Sequence, residues 1–152
     1  ATSEHDGANA NNHPCQSIVR NTPIEVMEAR TPMFFERFEL ITDSGGRGMY
    51  RGGLGLQRDI QFLGDGEFIT ISKKTKSPPW ALQGGEETTP TQYTLFPGTS
   101  RERRVGTSRT QVSVGDKVSI RTAGGGGYGK YGMRSALLRR EDYLDGFVSK
   151  IE

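Results

Sequence analysis

The sequence predicts a mainly β fold, an antiparallel meander or sandwich-like module with two short helices. Apolar and polar residues alternate in several short segments between Phe34 and Thr122, which is the period of half-buried strands. Helix start signals occur in only two places, near residues 23 and 136. Of the 152 residues, 32% are hydrophobic and 21 are glycine. So small an apolar content favours a module that needs a partner to finish burying its surface.

The chain is predicted to consist of an arm and one module. Residues 1–16 are polar and rich in asparagine, with two turn dipeptides, so we expect an extended N-terminal arm. Residues 17–152 are expected to form a single β module, because the chain has the length of one domain.

The first helix is predicted over residues 23–30. Thr22 is a suitable N-cap, Pro23 suits the first helical position, and Glu25 completes a capping box. Pro32 ends the helix, because the residue before a proline avoids the α region.

Three strands are predicted to follow as an antiparallel meander, over residues 37–42, 54–62 and 67–73. The compact turn Gly64-Asp65-Gly66 is expected to join the second of these strands to the third as a hairpin. Shorter strands are predicted over residues 92–96, 111–114 and 116–122.

The second helix is predicted over residues 136–144, with Ser135 as its N-cap and Gly146 as its C-terminal stop. Its acidic pair, Glu141 and Asp142, is expected to face solvent beside two arginines that offset the charge.

Two loops carry residues with competing interpretations. Trp80, the only tryptophan, follows two prolines and is expected to plug the edge of the core, the alternative being a platform for a ligand. The basic run Arg101–Arg104 is expected to be a solvated loop, since no aromatic residues are interleaved with it to stack on bases.

Charge and cysteine content exclude several classes of function. The net charge is +2, from 20 basic and 18 acidic residues, which predicts no nucleic-acid partner and no membrane partner. Cys15 is the single cysteine, and neither a secretion signal nor a membrane span is recognisable. We therefore expect a cytoplasmic protein.

The run Gly124–Tyr131 fits the phosphate-loop pattern G-x-x-x-x-G-K-[ST] except at Tyr131, where a Ser or Thr hydroxyl should bind Mg²⁺. Too few residues follow Lys130 to build the βαβ domain that such a loop opens. We therefore expect a turn between a strand and a helix, and Lys130 alone supports the alternative of a nucleotide-binding protein.

The densest group of potential metal ligands lies near the N-terminus: His5, Asp6, His13 and Cys15. Their types suit zinc or manganese, but their spacing matches no standard ligand pattern. We expect no metal site built from these residues alone, and a contribution to a site shared with another chain stays open.

Several segments occur in a distinctive order: Asn21–Glu25, Glu36–Leu40, Asp43–Gly46, Tyr50–Gly55, Pro78–Trp80 and Gly124–Gly129. Together they resemble the C-terminal region of the hydantoinase B/oxoprolinase family, and the resemblance covers nearly the whole chain. Members of that family are normally several times longer, and their metal-binding and main catalytic portions have no counterpart here.

The resemblance implies a separate small, non-catalytic subunit of a multi-subunit ATP-dependent ketone carboxylase, which makes benzoylacetate from acetophenone, bicarbonate and ATP. The alternative is a subunit of an ATP-dependent hydantoinase, oxoprolinase or lactamase. Its expected partners are larger hydantoinase A-type and hydantoinase B-type subunits, which carry the ATP and a divalent metal. No catalytic, cofactor-binding or metal-binding residue is expected on this chain.

Interface or structural roles are expected for Asn21, Thr22, Pro23, Glu25, Gly45, Gly46, Arg51, Gly52, Gly53, Trp80, Gly124, Gly125, Gly126, Gly127 and Tyr128.

Overall fold

The computed structural model describes residues 1–11, 21–72 and 74–151. A one-turn 3-10 helix, Tyr131–Met133, precedes the last helix. In chain order the other elements are α1 (Ile24–Arg30), β1 (Met33–Leu40), β2 (Leu56–Phe62), β3 (Gly66–Thr70), β4 (Gln92–Leu95), β5 (Arg103–Val105), β6 (Ser108–Val112), β7 (Lys117–Arg121) and α2 (Ala136–Leu144).

The strands of the described residues form two antiparallel sheets. The larger sheet has five strands in the order β1-β2-β7-β4-β5, and the smaller one pairs β3 with β6. The mainly β class with two helices is therefore confirmed. Neither helix has the length and apolar content needed to cross a membrane, a statement that holds for the part of the chain that the structure describes.

The core lies between the two sheets. Ile60 of β2 and Leu95 of β4 both pair with Val118 of β7, so three neighbouring strands place an aliphatic side chain in one row. These side chains are 7%, 0% and 1% exposed. Phe68 of β3 closes the core from the smaller sheet, packing edge to face on Phe62 at 5.9 Å between ring centroids.

The predicted meander is wrong in its third strand. β1 pairs with β2 as expected, but β3 pairs with β6 and belongs to the other sheet. The turn after β2 is bound to the segment that follows β6, because Asp65 accepts a hydrogen bond from the backbone N–H of Val114 at 3.2 Å. Alternating apolar residues indicate a strand, and its partner is decided by contacts that are distant in sequence.

The start of β1 and the cap of α1 also differ from the prediction. β1 begins at Met33, four residues before the predicted start. Its pairing register shifts between Phe35 and Arg37, so the alternation of apolar and polar residues is interrupted there and does not reveal the first part of the strand. Helix α1 has Pro23 at its N-cap without a side-chain cap, so the capping box is wrong. The helix is instead tied to β1, since Glu28 accepts a hydrogen bond from the backbone N–H of Phe35 at 2.8 Å.

The C-terminal helix has the predicted bounds and cap. The Ser135 hydroxyl accepts a hydrogen bond from the backbone N–H of Leu138 at 3.3 Å, and Gly146 follows the helix with a positive φ of 72°. In the basic run, by contrast, Arg103 begins the short strand β5, and Arg101 lies over the ring of Phe96 at 4.1 Å from its centroid. The prediction of a loop there is therefore wrong for β5.

Candidate functional site

The glycine run Gly124–Gly127 contacts the backbone of the neighbouring loops directly. A Cβ atom placed on Gly126 would lie 2.0 Å from the carbonyl oxygen of Trp80. A Cβ atom on Gly52 would lie 1.8 Å from the carbonyl oxygen of Gly125. Real side chains do not approach a backbone oxygen this closely, so these loops pack through their main chains and require glycine.

Two of the four N–H groups of this run form hydrogen bonds within the protein. Gly125 donates to the carbonyl of Gly53 at 2.8 Å, and Gly127 donates to the carbonyl of Glu86 at 3.0 Å. A phosphate loop needs such N–H groups to point at its ligand. The run therefore packs loops together, and its resemblance to a phosphate loop is one of sequence alone.

Two arginines and two aspartates form a charge cluster next to the glycine loops: Asp6, Arg51, Arg134 and Asp142. Arg134 donates to both oxygens of Asp6, at 2.7 and 2.8 Å, and to Asp142 at 2.6 Å. Arg51 donates to the other oxygen of Asp142 at 3.1 Å. The formal charges of the cluster cancel, which is how a protein keeps buried charges at an acceptable cost.

The charge cluster is well removed from solvent. The side chains of Arg134, Arg51 and Asp142 are 1%, 7% and 9% exposed, and that of Asp6 is 25% exposed. The expectation that Asp142 faces solvent is therefore wrong. A run of charged residues on a helix normally indicates a solvated face. Here an arginine 91 residues earlier in the chain reaches this face and pairs with it.

Pairing outweighs burial in setting the pKa values of Asp6 and Arg134. Burial alone would raise the pKa of Asp6, but hydrogen bonds from Arg134 and from the backbone N–H of Arg51 lower it overall. Burial alone would lower the pKa of Arg134, but its hydrogen bonds and charge interactions with Asp6 and Asp142 raise it. Asp6 and Arg134 are thus both held in their charged forms.

The charge cluster also fastens the N-terminal arm. Asp6 accepts a third hydrogen bond, from the backbone N–H of Arg51 at 2.6 Å, and Gly7 donates its N–H to the carbonyl of Arg51 at 2.7 Å. Further along, the side-chain oxygen of Asn9 accepts from the backbone N–H of Leu54 at 3.0 Å. The first residues therefore lie against the glycine loops as an additional layer of backbone.

A cavity of about 260 Å³ opens beside the charge cluster. In its wall, the ring of Tyr131 contacts two guanidinium groups, with Arg139 at 4.6 Å and Arg47 at 5.5 Å from the ring centroid. Acidic side chains, among them Glu86, and basic ones, among them Lys150, line the same space. Because both signs of charge are present, the cavity does not select a ligand by net charge.

The predicted interface residues fall in separate places. The glycines, Arg51 and Tyr128 belong to the loops that pack on one another through their main chains, called here the interlocked loops. Within them, Tyr128 forms β-bridges with Tyr50 and with Leu82. The group at Asn21–Glu25 lies instead at the start of α1, where Asn21 and Thr22 line a separate cavity of about 190 Å³. Their roles at a junction between subunits stay predictions.

Trp80 does not plug the core, so that expectation is wrong. Trp80 is 67% exposed, and the Nζ atom of Lys74 lies 4.7 Å from the centroid of the tryptophan ring. The carbonyl group of Trp80 is the part that packs inward, against Gly126. The two prolines before it fix the course of the main chain, and the side chain points outward.

The potential metal ligands near the N-terminus are only partly described. His13 and Cys15 lie outside the described residues, and the carboxylate of Asp6 is bound to Arg134. In residues 1–11, 21–72 and 74–151, no group of three or more His, Cys, Asp or Glu side chains has a geometry that could hold a metal ion.

The residues that organise the site were mostly missed by sequence reasoning. Asp6 was considered only as a metal ligand, Asp142 was expected to face solvent, and neither Asn9 nor Arg134 was singled out. Asp6 and Arg134 are 128 residues apart, so no local spacing could reveal their pairing. Buried charges are normally paired, but the sequence does not show which of its charges are buried.

Comparison with known proteins relates this chain to much longer ones. The family model described as Hydantoinase B/oxoprolinase matches residues 1–131. A 5-oxoprolinase of Pestalotiopsis fici is 35% identical over 133 residues, which is 81% of this chain and 10% of the relative.

Two solved structures have the same fold. One is an acetone carboxylase in its nucleotide-free state, which matches 97% of this chain and 24% of its own with a TM-score of 0.82 and 19% identity. The other is the ATP-dependent caprolactamase of Pseudomonas jessenii, matching 83% of this chain and 23% of its own with a TM-score of 0.70 and 24% identity. The chain thus spans a quarter or less of the proteins that it matches.

Proposed function

Because this chain belongs to the hydantoinase B/oxoprolinase family, we propose that it is a small, non-catalytic subunit of an ATP-dependent ketone carboxylase. In this proposal the enzyme is an acetophenone carboxylase, which joins bicarbonate to acetophenone at the expense of ATP to form benzoylacetate. The chain completes the hydantoinase B-like part of the complex. Its partners are larger hydantoinase A-type and hydantoinase B-type subunits, and the complex is cytoplasmic.

The observation that carries the proposal is the fold match to acetone carboxylase. That match takes in 97% of this chain but only 24% of the other. The chain therefore has the fold of one segment of a carboxylase polypeptide about four times as long. In this proposal the chain is a polypeptide of its own and fills the place of that segment in the assembly.

The chemistry of the site supports a non-catalytic role. The acidic and basic groups of the charge cluster are paired with one another, and the glycine loops donate N–H groups to carbonyls of the same chain. A catalytic acid or base needs a group whose proton is available to a substrate. We accordingly propose that the ATP and the divalent metal bind to the partner subunits.

A second candidate is a subunit of an ATP-dependent hydantoinase, oxoprolinase or lactamase. It is supported by the 35% identity to a 5-oxoprolinase and by the fold shared with a caprolactamase. In such an enzyme this chain would hold the same structural place, so the two candidates differ in the reaction of the complex.

The test is an assay of the complex purified through a tag on this chain. We expect ATP-dependent incorporation of ¹⁴C-bicarbonate into acetophenone, and no opening of 5-oxoproline, hydantoin or caprolactam. ATP-dependent opening of one of these rings without bicarbonate incorporation would instead establish the second candidate. A complex that lacks this chain serves as the control for its contribution.

A further inference from the structure

Helix α2 buries an aspartate and exposes two of its three leucines. Asp142 is the buried residue of the helix and is held by Arg51 and Arg134. Leu137 and Leu144 are 65% and 68% exposed. They are seven residues apart and therefore lie on one face, about 10 Å apart along the helix axis.

This orientation is the reverse of the usual one for a surface helix, which places its apolar stripe on the core. Met133 of the preceding 3-10 helix is also exposed, by 66%, and Tyr143 of α2, which lies about 100° around the helix from Leu144, is 45% exposed. Charged residues, Arg140 and Glu141, are exposed among them. Exposed leucines that stand among charged residues on one helix face are typical of a surface that another protein covers.

The position of α2 is fixed before any partner binds. Arg51 and Arg134 hold both oxygens of Asp142, and after the helix the backbone N–H of Phe147 donates to the carbonyl of Asp142 at 2.8 Å. The leucine face is therefore presented by a rigid support, which lowers the entropic cost of docking.

The size of the related chains indicates what covers this face. The acetone carboxylase match leaves out 3% of this chain, or about 5 of its 152 residues, whereas α2 has 9. At least part of α2 therefore has a counterpart in that chain, where the matched segment is 24% of a single polypeptide. The other three quarters are the protein surface available to cover it.

We propose that the face of α2 formed by Leu137 and Leu144 docks on the remaining portion of a hydantoinase B-type polypeptide, supplied by a partner subunit. This inference rests on the proposed function and adds the surface through which the chain joins the complex. The family model matches residues 1–131, so this surface lies beyond the matched segment.

The test replaces both leucines by glutamine, which is polar and similar to leucine in helix propensity. A tagged L137Q/L144Q chain is co-expressed with the larger hydantoinase B-type subunit, and the recovered partner is quantified. We expect recovery to fall at least about tenfold relative to the unaltered chain, equivalent to about 1.4 kcal/mol of binding free energy. The urea midpoint of the variant chain alone should stay unchanged, because both side chains are already exposed.

The matched control is L63Q/V114Q, which alters two apolar residues that are 54% and 67% exposed in the turns after β2 and β6. It should recover the partner as the unaltered chain does. Full recovery by L137Q/L144Q would overturn the assignment of this face and leave the proposed function intact. Failure of the unaltered chain to recover any partner would instead contradict the proposed function, and this inference with it.

A second copy of this chain is the competing occupant. Light scattering of the chain alone distinguishes the two occupants, since a chain whose α2 face docks on a different subunit should be a monomer by itself. A dimer that L137Q/L144Q converts to a monomer would overturn the proposal in favour of self-association.

Discussion

The sheet core and the glycine loops of this molecule are held together by different kinds of contact. In the core, side chains such as Ile60, Leu95 and Val118 exclude water from the space between two sheets. In the loops, main chains touch one another and paired charges occupy the interior next to them. The core gains stability from apolar area, whereas the loops depend on exact backbone positions and on the pairing of buried charges.

This difference implies different tolerance to substitution. A core accepts other apolar residues of similar volume at a modest cost. A backbone contact cannot be relieved by a change of rotamer, and a buried charge without its partner is costly whatever replaces that partner. We therefore expect the loops to be the less tolerant region, and the following experiments measure this.

The largest effect is expected for Gly52→Ala. The added Cβ would overlap the carbonyl oxygen of Gly125, so the two loops would have to separate. We expect a loss of more than about 4 kcal/mol in the free energy of unfolding, measured by urea denaturation of the purified chain. Gly132→Ala is the matched control, because no atom lies within 4 Å of its Cβ position. Equal stability of the two variants would contradict the interlocked loops.

Asp142→Ala should be next in size. It leaves Arg51 and Arg134 buried without the carboxylate that joins them, which costs about 3–5 kcal/mol for a buried pair. Urea denaturation measures the loss, and Glu141→Ala on the exposed side of the same helix is the control. A loss under about 1 kcal/mol for Asp142→Ala would show that the charge cluster is not important for stability.

Leu95→Ala measures the core in the same units. The side chain is fully buried, so the substitution should cost about 2–5 kcal/mol through lost burial and a cavity. Val114→Ala, at an exposed apolar position, is the control and should change the urea midpoint little. If Leu95→Ala cost more than Gly52→Ala, the order of tolerance proposed for the two regions would be reversed.

Acid should weaken the loops through Asp6, whose pKa is lowered in the folded protein. A carboxylate with a lowered pKa contributes stability above its unfolded pKa of about 3.9, and this stability is lost as the pH falls through the folded value. The urea midpoint should therefore decrease as the pH is lowered below about 4. Asp6→Asn should reduce this dependence, and an unchanged acid profile would argue against the pairing with Arg134.

The smallest effect is expected for Lys130→Ala in the assembled complex. The glycine run before it uses its N–H groups for contacts between loops, so ATP hydrolysis should change less than about threefold, under about 0.7 kcal/mol. Complete loss of ATP turnover would revive the phosphate-loop interpretation.

The sequence was informative where local rules decide the structure. The bounds of α2, the cap at Ser135 and the alternation that places Ile60 and Phe62 in the core all follow from spacing along the chain. The same rules could not assign β3 to the smaller sheet, since that pairing depends on β6 some forty residues away.

The candidate site was harder to predict, because glycines and charges carry ambiguous signals. The glycine run fits a phosphate-loop pattern, and only the neighbouring main chains show what it packs against. Asp142 looks like a solvated helix residue until Arg51 and Arg134 are placed beside it. The N-terminal residues look like a free arm until the hydrogen bonds of Asp6 are known.

The bond between Asp6 and Arg134 has a consequence for the order in which the chain folds during its synthesis. The two residues are 128 positions apart, so Arg134 leaves the ribosome long after Asp6. At about 5–20 residues per second, the interval is several seconds or more. For that time Asp6 lacks its buried cation, and β7, the last strand of the core in chain order, is itself completed only about 13 residues before Arg134. The core and the charge cluster are therefore completed almost together, by the same late segment of the chain.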